Sequence, residues 1–195
     1  MGKIFCMMGK SSSGKDTLYQ QILEHEGLLL KSIVLYTTRP IRSGERDGKE
    51  YIFADEDMLA GLTEAGKVIE CRSYHTVHGV WKYFTVNDGQ IDLARQNYLT
   101  IATLESYLKI REYFGEAFVL PIYIEVEDGV RLRRALEREE AQSNPRYAEM
   151  CRRFLADTVD FSEEKLAAAG ITRRFFNEDL DEVRREITAY IRKFI

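Results

Sequence analysis

Clustered cysteine or histidine, long apolar runs and an excess of positive charge are all missing from this chain. Its three cysteines, Cys6, Cys71 and Cys151, are scattered over 195 residues. They are odd in number, far apart and without metal spacing, a usage that suits a reducing compartment. Histidine is as scarce: His25, His75 and His78. The pair His75 and His78 has no further Cys or His nearby, so no zinc site is expected. No window approaches the roughly 18 apolar residues of a membrane span. The apolar start, Met1 to Met8, is too brief for an export signal. A formal net charge of −4 argues against a general nucleic-acid binder, which needs a basic surface to release counterions. Repeats and low-complexity tracts are absent. What is there is ordinary for a soluble globular domain: 45% hydrophobic and 31% charged residues, in a length that fits one compact unit or a core with small mobile parts.

The pattern alternates strands and helices. Lys3 to Met8 reads as a buried strand, Gly9 to Gly14 as a loop and Asp16 to Glu26 as a helix. Ser32 to Tyr36 reads as the next strand, followed by a charged loop to Lys49. Tyr51–Phe53, Val68–Cys71 and Val80–Val86 read as short strands around a helix over 56–65. Tyr98–Ala102 is a strand, Leu104–Phe114 a helix and Ala117–Glu125 a strongly apolar strand. Pro121 is expected at a bulge or at that strand's start. Two helices follow, over 129–142 and 146–157, broken at Asn144-Pro145. Ile171–Phe175 is a last strand. Leu180, Val183, Ile187 and Ile191 keep the three–four spacing of a closing amphipathic helix.

The strongest local signal is Gly9-Lys10-Ser11-Ser12-Ser13-Gly14-Lys15, which satisfies G-x-x-x-x-G-K between a strand and a helix. Glycines let backbone amides curl around phosphates, the helix N-terminus adds its positive end, and Lys15 brings a cation to the outer phosphates. The next position usually carries a hydroxyl for magnesium. Here it is Asp16, with Thr17 one later, so these two are the expected metal ligands.

Residues 37–51 carry Thr37, Thr38, Arg39, Arg42, Gly44, Glu45, Gly48 and Tyr51. Two arginines three apart, near a tyrosine hydroxyl, can grip one phosphate from several sides. In this combination the chain resembles guanylate kinases. The resemblance implies that Thr38, Arg39, Arg42 and Tyr51 bind the phosphate of GMP. The serine that the family carries at the start of the run is not kept; Leu35 or Tyr36 stands there. The family's guanine-reading glutamate corresponds to Glu70, and a carboxylate can accept from both the N1 hydrogen and the exocyclic amine of guanine. Tyr83 and Thr85 fall on the family's Tyr-Gly-Thr, with Phe84 replacing the glycine and about five extra residues, including 75–78, before them; Tyr74 is a rival for the tyrosine role. The family's two aspartates after the next core strand fall on Thr103 and Glu105. Glu105 keeps a charge near guanine, and Thr103 loses one.

Arginine is dense over 131–153. Arg131, Arg134 and Arg138 share one helical face. The resemblance makes this stretch a lid over the triphosphate, with Arg134, Arg138 and Arg153 acting first and Arg146 and Arg152 next. It also puts Asn177 on the adenine side. The implied whole is an α/β P-loop kinase fold: a central parallel sheet with helices on both faces, core segments 1–32, 88–125 and 161–195, a GMP-binding insertion over 33–87 and a lid over 126–160. The implied activity is phosphoryl transfer from ATP, with Mg2+, to GMP in the cytoplasm, by a monomer or homodimer with no nucleic-acid or membrane partner. Two alternatives stay open: a related kinase acting on a ribose bisphosphate or atypical nucleotide, and a non-catalytic protein-binding module.

Overall fold

The computed structural model describes residues 1–76 and 79–195. Val77 and His78 lie outside the described residues, and with them one half of the histidine pair.

Five parallel strands form the main sheet in the order β2 (Leu30–Ser32), β7 (Asn97–Ile101), β1 (Ile4–Gly9), β8 (Val119–Glu125) and β9 (Arg174–Phe176). β1 is central and buried on both faces, as its unbroken apolar run requires. Ile4, Cys6 and Met8 pack with Leu104, Tyr107 and Ile110 of α3 (Leu104–Phe114) and Leu166 of α6 (Glu163–Ala168). Phe5 and Met7 pack with Leu18 and Ile22 of α1 (Lys15–Leu23) and with Val183, Ile187 and Ile191 of α7 (Leu180–Ile191). Helices therefore cover both faces of the sheet, the α/β architecture that the alternating pattern predicts. Each side chain buried this fully contributes about 1.5–3 kcal/mol.

A second, mixed sheet runs β4 (Ile52–Phe53), β3 (Tyr36–Thr37), β6 (Gly79–Val86), β5 (Val68–Thr76). Its own small core joins Tyr36, Phe84 and Val86 to Leu59 of α2 (Glu56–Glu64). Two arginine-rich helices, α4 (Asp128–Glu140) and α5 (Tyr147–Asp160), pack against each other after β8.

Several elements differ from the sequence reading. The strand expected over Ser32–Tyr36 is split between the two sheets. Between its halves the Gln90 amide serves Val34 in place of a strand, accepting from its N–H at 2.8 Å and donating to its carbonyl at 3.2 Å. β5 runs to Thr76 rather than stopping at Cys71, and it pairs with β6 from Val68 on, with one register shift between Val68 and Glu70. The six-residue α6, capped by Ser162, is too short to show a helical period. Pro121 sits inside β8, opposite Cys6 of β1, with no bulge. It is tolerated because odd-numbered residues of β8 turn their backbone toward β9, where Glu125 accepts from Asn177, and β9 pairs only from Tyr123 onward. The N–H that proline lacks faces a position where the ladder has not begun.

Candidate phosphoryl-transfer site

The C-terminal ends of β1, β7, β8 and β9 gather four loops at one edge of the parallel sheet, where the chain reverses its direction of winding and where such sheets hold ligands. The β1 loop turns back through two residues with positive φ, Ser12 at 62° and Gly14 at 81°. Gly14 caps α1 without any side-chain hydrogen bond, so the first amides of the helix are left to an anion. A Cβ at Gly14 would lie 2.4 Å from Nδ2 of Asn177, and one at Gly9 would lie 2.7 Å from the Ile124 carbonyl. The loop is therefore fitted tightly to its neighbours. Asn177 is buried and donates to the Ser13 carbonyl at 2.8 Å. Among the described residues, the Ser12 and Ser13 hydroxyls are buried without a hydrogen-bond partner. Buried hydroxyls ordinarily have one, so they suit a ligand rich in acceptor oxygens. Lys15 rests its ammonium on Asp16 at 3.1 Å, and Asp16 and Thr17 are exposed.

This loop walls a cleft of about 480 Å³ that is also lined by Arg134, Arg138 and Asn177. Arg153 reaches the Ser11 hydroxyl at 3.3 Å, and Lys10 pairs with Asp128 at 3.4 Å. Arg152 turns away to Glu149 at 2.7 Å, and the Arg146 amide serves Glu139. Among the described residues, no cluster of three His, Cys, Asp or Glu could hold a metal. Magnesium bound with a nucleotide needs only one or two carboxylates beside phosphate oxygens, and the exposed Asp16 meets that lesser demand.

On these helices the sequence reading missed Asp157 altogether, and it grouped Arg131 with the lid arginines without seeing its structural role. Arg131 is 1% exposed and fully bonded: it donates to Asp128 at 2.7 and 3.1 Å and to the Ser11 carbonyl at 2.9 Å, and it lies 4.6 Å over the Phe154 ring. Asp157 accepts from the Ser11 amide at 2.7 Å and lies 3.5 Å from Arg131. Together they fasten α4 and α5 to the phosphate loop. The three-residue spacing of Asp128 and Arg131 was the sequence signal for this role; the shared face with Arg134 and Arg138 pointed elsewhere.

The second sheet and its loop carry the other predicted residues except Glu105. Arg39 is buried and committed: its guanidinium donates to both oxygens of Glu45, at 2.7 and 2.5 Å, and to the Pro40 carbonyl, and it stacks over Tyr51 and Phe53. Arg42 is exposed and gives only its backbone amide to Glu45. Thr38 continues the β3–β6 ladder by exchanging bonds with Lys82. Tyr51, Tyr83 and Tyr74 stack edge to face in one row, so Tyr74 and Tyr83 share a cluster. Glu70 is buried and accepts from the Thr85 hydroxyl at 2.6 Å and from Arg72 at 2.9 Å. Glu105 is exposed in the first turn of α3 and joins none of these bonds among the described residues. Thr103 is the N-cap of that helix and forms a capping box with Ser106, a use for a hydroxyl where the resemblance expected an aspartate.

The hydrogen bond from Arg39 is the main reason that the Glu45 carboxyl titrates at about 2. Its folded pKa lies below the ordinary value near ~4.3. The stabilisation is therefore fully present above about pH 4.5 and is lost as pH falls toward 2. Glu45→Gln is expected to lower Tm at pH 7, with the gap to the parent about halved at pH 3. Thermal melts at both pH values check this, and a gap of constant size would contradict the clamp.

The chain is 33% identical over 153 residues to the guanylate kinase of Prochlorococcus marinus (strain MIT 9313), an alignment covering 72% of this chain and 74% of that protein. It belongs to the guanylate kinase family. The family model described as guanylate kinase matches residues 1–90, the half that carries the phosphate loop, the Arg39–Tyr51 loop and Glu70. The guanylate kinase of Cupriavidus pinatubonensis (strain JMP 134 / LMG 1197) is 27% identical over 96% of this chain and 83% of that protein. The crystal structure of guanylate kinase from Anaplasma phagocytophilum superposes with a TM-score of 0.68 over 98% of this chain and 85% of that one, at 19% identity. At that identity the likeness establishes the fold. The alignment with the Cupriavidus pinatubonensis protein also takes in α4 and α5, which the family model does not reach.

Proposed function

We propose that the chain transfers the terminal phosphoryl group of ATP to GMP. The observation that carries this reading is the phosphate loop: two buried, unpartnered serine hydroxyls and an uncapped helix N-terminus face a cleft lined by Lys15, Arg134 and Arg138. That is an anion site with cations supplied by two elements, α1 and α4, as suits a reaction that spreads charge over phosphoryl oxygens. Lys15 and the loop amides hold the donor phosphates. Arg134, Arg138 and Arg153 move over them as the 126–160 segment closes. Asp16, with Thr17 beside it, holds the magnesium that accompanies the nucleotide, which supplies charge neutralisation between its outer phosphates. Asn177 borders the adenine side.

The 33–87 segment receives the acceptor. Arg39, Arg42 and Tyr51 face its phosphate, with Glu45 fixing Arg39 and the loop and with Thr38 and Tyr83 forming its floor. Glu70, with Thr85, reads the base. The acceptor oxygen is already anionic near neutral pH, so positioning and charge stabilisation suffice without a strong general base. No helix among the described residues is long and apolar enough to cross a membrane. We place the activity in the cytoplasm, carried by a monomer or homodimer whose partners are small nucleotides.

A coupled ADP-release assay with magnesium-ATP tests the reading across GMP, dGMP, AMP, UMP and ribose bisphosphate. Turnover with GMP is expected to exceed that with AMP by about 10⁴-fold, because a site built to accept from a base's N–H groups strongly rejects a base that lacks them. Absence of GMP turnover alongside turnover of another acceptor would sink the acceptor assignment.

A further inference from the structure

Arg72 stands where nothing in the mechanism above uses it, and its placement bears on the base-reading carboxylate directly. In the β5–β6 ladder Glu70 is opposite Thr85, and Arg72 is opposite Tyr83. Glu70 and Arg72 are two residues apart on one strand, so both point to the same face. That face is turned away from the small core that holds Phe84. Both side chains are withdrawn from solvent, at 2% and 11% exposure.

The geometry of the pair is a fork. Nε of Arg72 donates to Oε2 of Glu70 at 2.9 Å and one terminal nitrogen donates to Oε1 at 3.4 Å. Thr85 takes Oε1 with its hydroxyl at 2.6 Å. The other terminal nitrogen of Arg72 reaches the Thr103 hydroxyl at 3.5 Å, which braces the guanidinium against the start of α3. Guanine presents the same two-donor array, N1–H beside the exocyclic N–H, and seeks the same two-oxygen edge of a carboxylate. A guanidinium fork is charge-assisted and stronger than a neutral one.

We propose that Arg72 is a specificity-determining residue that competes with the guanine donor edge for Glu70. This rests on the reading that the chain phosphorylates GMP. The base must exchange a charged fork for a neutral one, so the gain from reading guanine is reduced and a purine with N1–H but no 2-amino group is rejected less sharply. The carboxylate is retained, and its discrimination is set by the residue two places along the strand.

The test is GMP and IMP binding by calorimetry, with kcat/KM for both, in the parent, in Arg72→Met and in Arg72→Lys. Arg72→Met keeps length and packing without the donors. It is expected to tighten GMP by about tenfold and IMP by less than about threefold, each tenfold being 1.4 kcal/mol. Adding Glu70→Gln to that variant is expected to remove the gain. Arg72→Lys keeps a charge but not the fork and is expected to tighten GMP by about threefold, so it carries the test if Arg72→Met fails to fold. Unchanged or weakened GMP binding in a folded variant overturns the proposal, because it would make the pair structural only. If the parent and both variants bind and turn over no GMP yet act on a non-guanine acceptor, the acceptor reading itself falls. A parent that does turn over GMP, with no gain in either variant, removes only the role of Arg72.

Discussion

Lys15→Met is expected to lower kcat for phosphoryl transfer by about 10²–10³-fold, or roughly 2.7–4 kcal/mol of transition-state stabilisation, the loss that follows removal of one preorganised electrostatic contact. Lys15 opens α1 directly after Gly14, so its backbone amide and its ammonium address the same phosphates. Its only ion-pair partner among the described residues is Asp16, itself 76% exposed, at 3.1 Å. An exposed pair of this kind holds the ammonium weakly, and the side chain is free to transfer to a bound nucleotide. The proposed acceptor site is built from other elements, the second sheet and the 39–51 loop. GMP affinity should therefore stay within about threefold of the parent, since sites without shared partners behave nearly independently. Steady-state kinetics with calorimetric GMP binding checks both halves. Equal losses in kcat and in GMP affinity would contradict the assignment of Lys15 to the donor side.

How much of this was legible in the sequence depended on the distance between partners. The phosphate loop is nearly all local: seven consecutive residues, a strand before and a helix after. Its two glycines are required by contacts with Ile124 and Asn177 that only the structure supplies. Long periodic elements such as α3 and α7 were equally plain, because their apolar spacing and caps lie within one helix. The loop over 39–51 was legible as a motif but not in its internal bonding. Two arginines three apart suggested a joint grip on phosphate; the structure adds that Glu45, six residues on in the same motif, holds the Arg39 guanidinium in place. Arg72 went unnoticed because an arginine two places from a glutamate on an exposed hairpin is usually a surface pair. Only burial at the C-terminal edge of the main sheet gives it meaning. The split of the strand after α1 depends on Gln90, more than fifty residues away, and no local pattern announces it.

The same reasoning separates two arginines that look alike in sequence. Arg131 and Arg134 lie one turn apart on α4, yet Arg131 is 1% exposed while Arg134 lines the cleft and makes one long bond, at 3.5 Å, to the Asn177 carbonyl. Removing one member of a buried charge network strands the others, at about 3–5 kcal/mol. Asp128 is 48% exposed and can regain water, whereas Asp157 is 17% exposed and keeps the Ser11 amide. Arg131→Met is therefore expected at the low end, about 3 kcal/mol, which in a chain of this size lowers Tm by roughly 6–12 °C. Burial pushes the Asp128 carboxyl up, but Arg131 and Lys10 outweigh it and hold it below the usual range. This part of the stabilisation is present above the ordinary carboxylate pKa and is lost as pH falls through the depressed value, so the gap between parent and variant should narrow in acid. Arg134→Met should move stability by less than about 1 kcal/mol, as a partly exposed side chain without a close partner does, and should lower turnover instead. Urea denaturation of both variants, read beside their kcat, decides the matter. If Arg131→Met unfolds within about 1 kcal/mol of the parent, the buried network does not fasten α4 and α5 to the phosphate loop. If α4 and α5 act as the proposed lid, they would then swing from their base, instead of from a fixed anchor at Ser11.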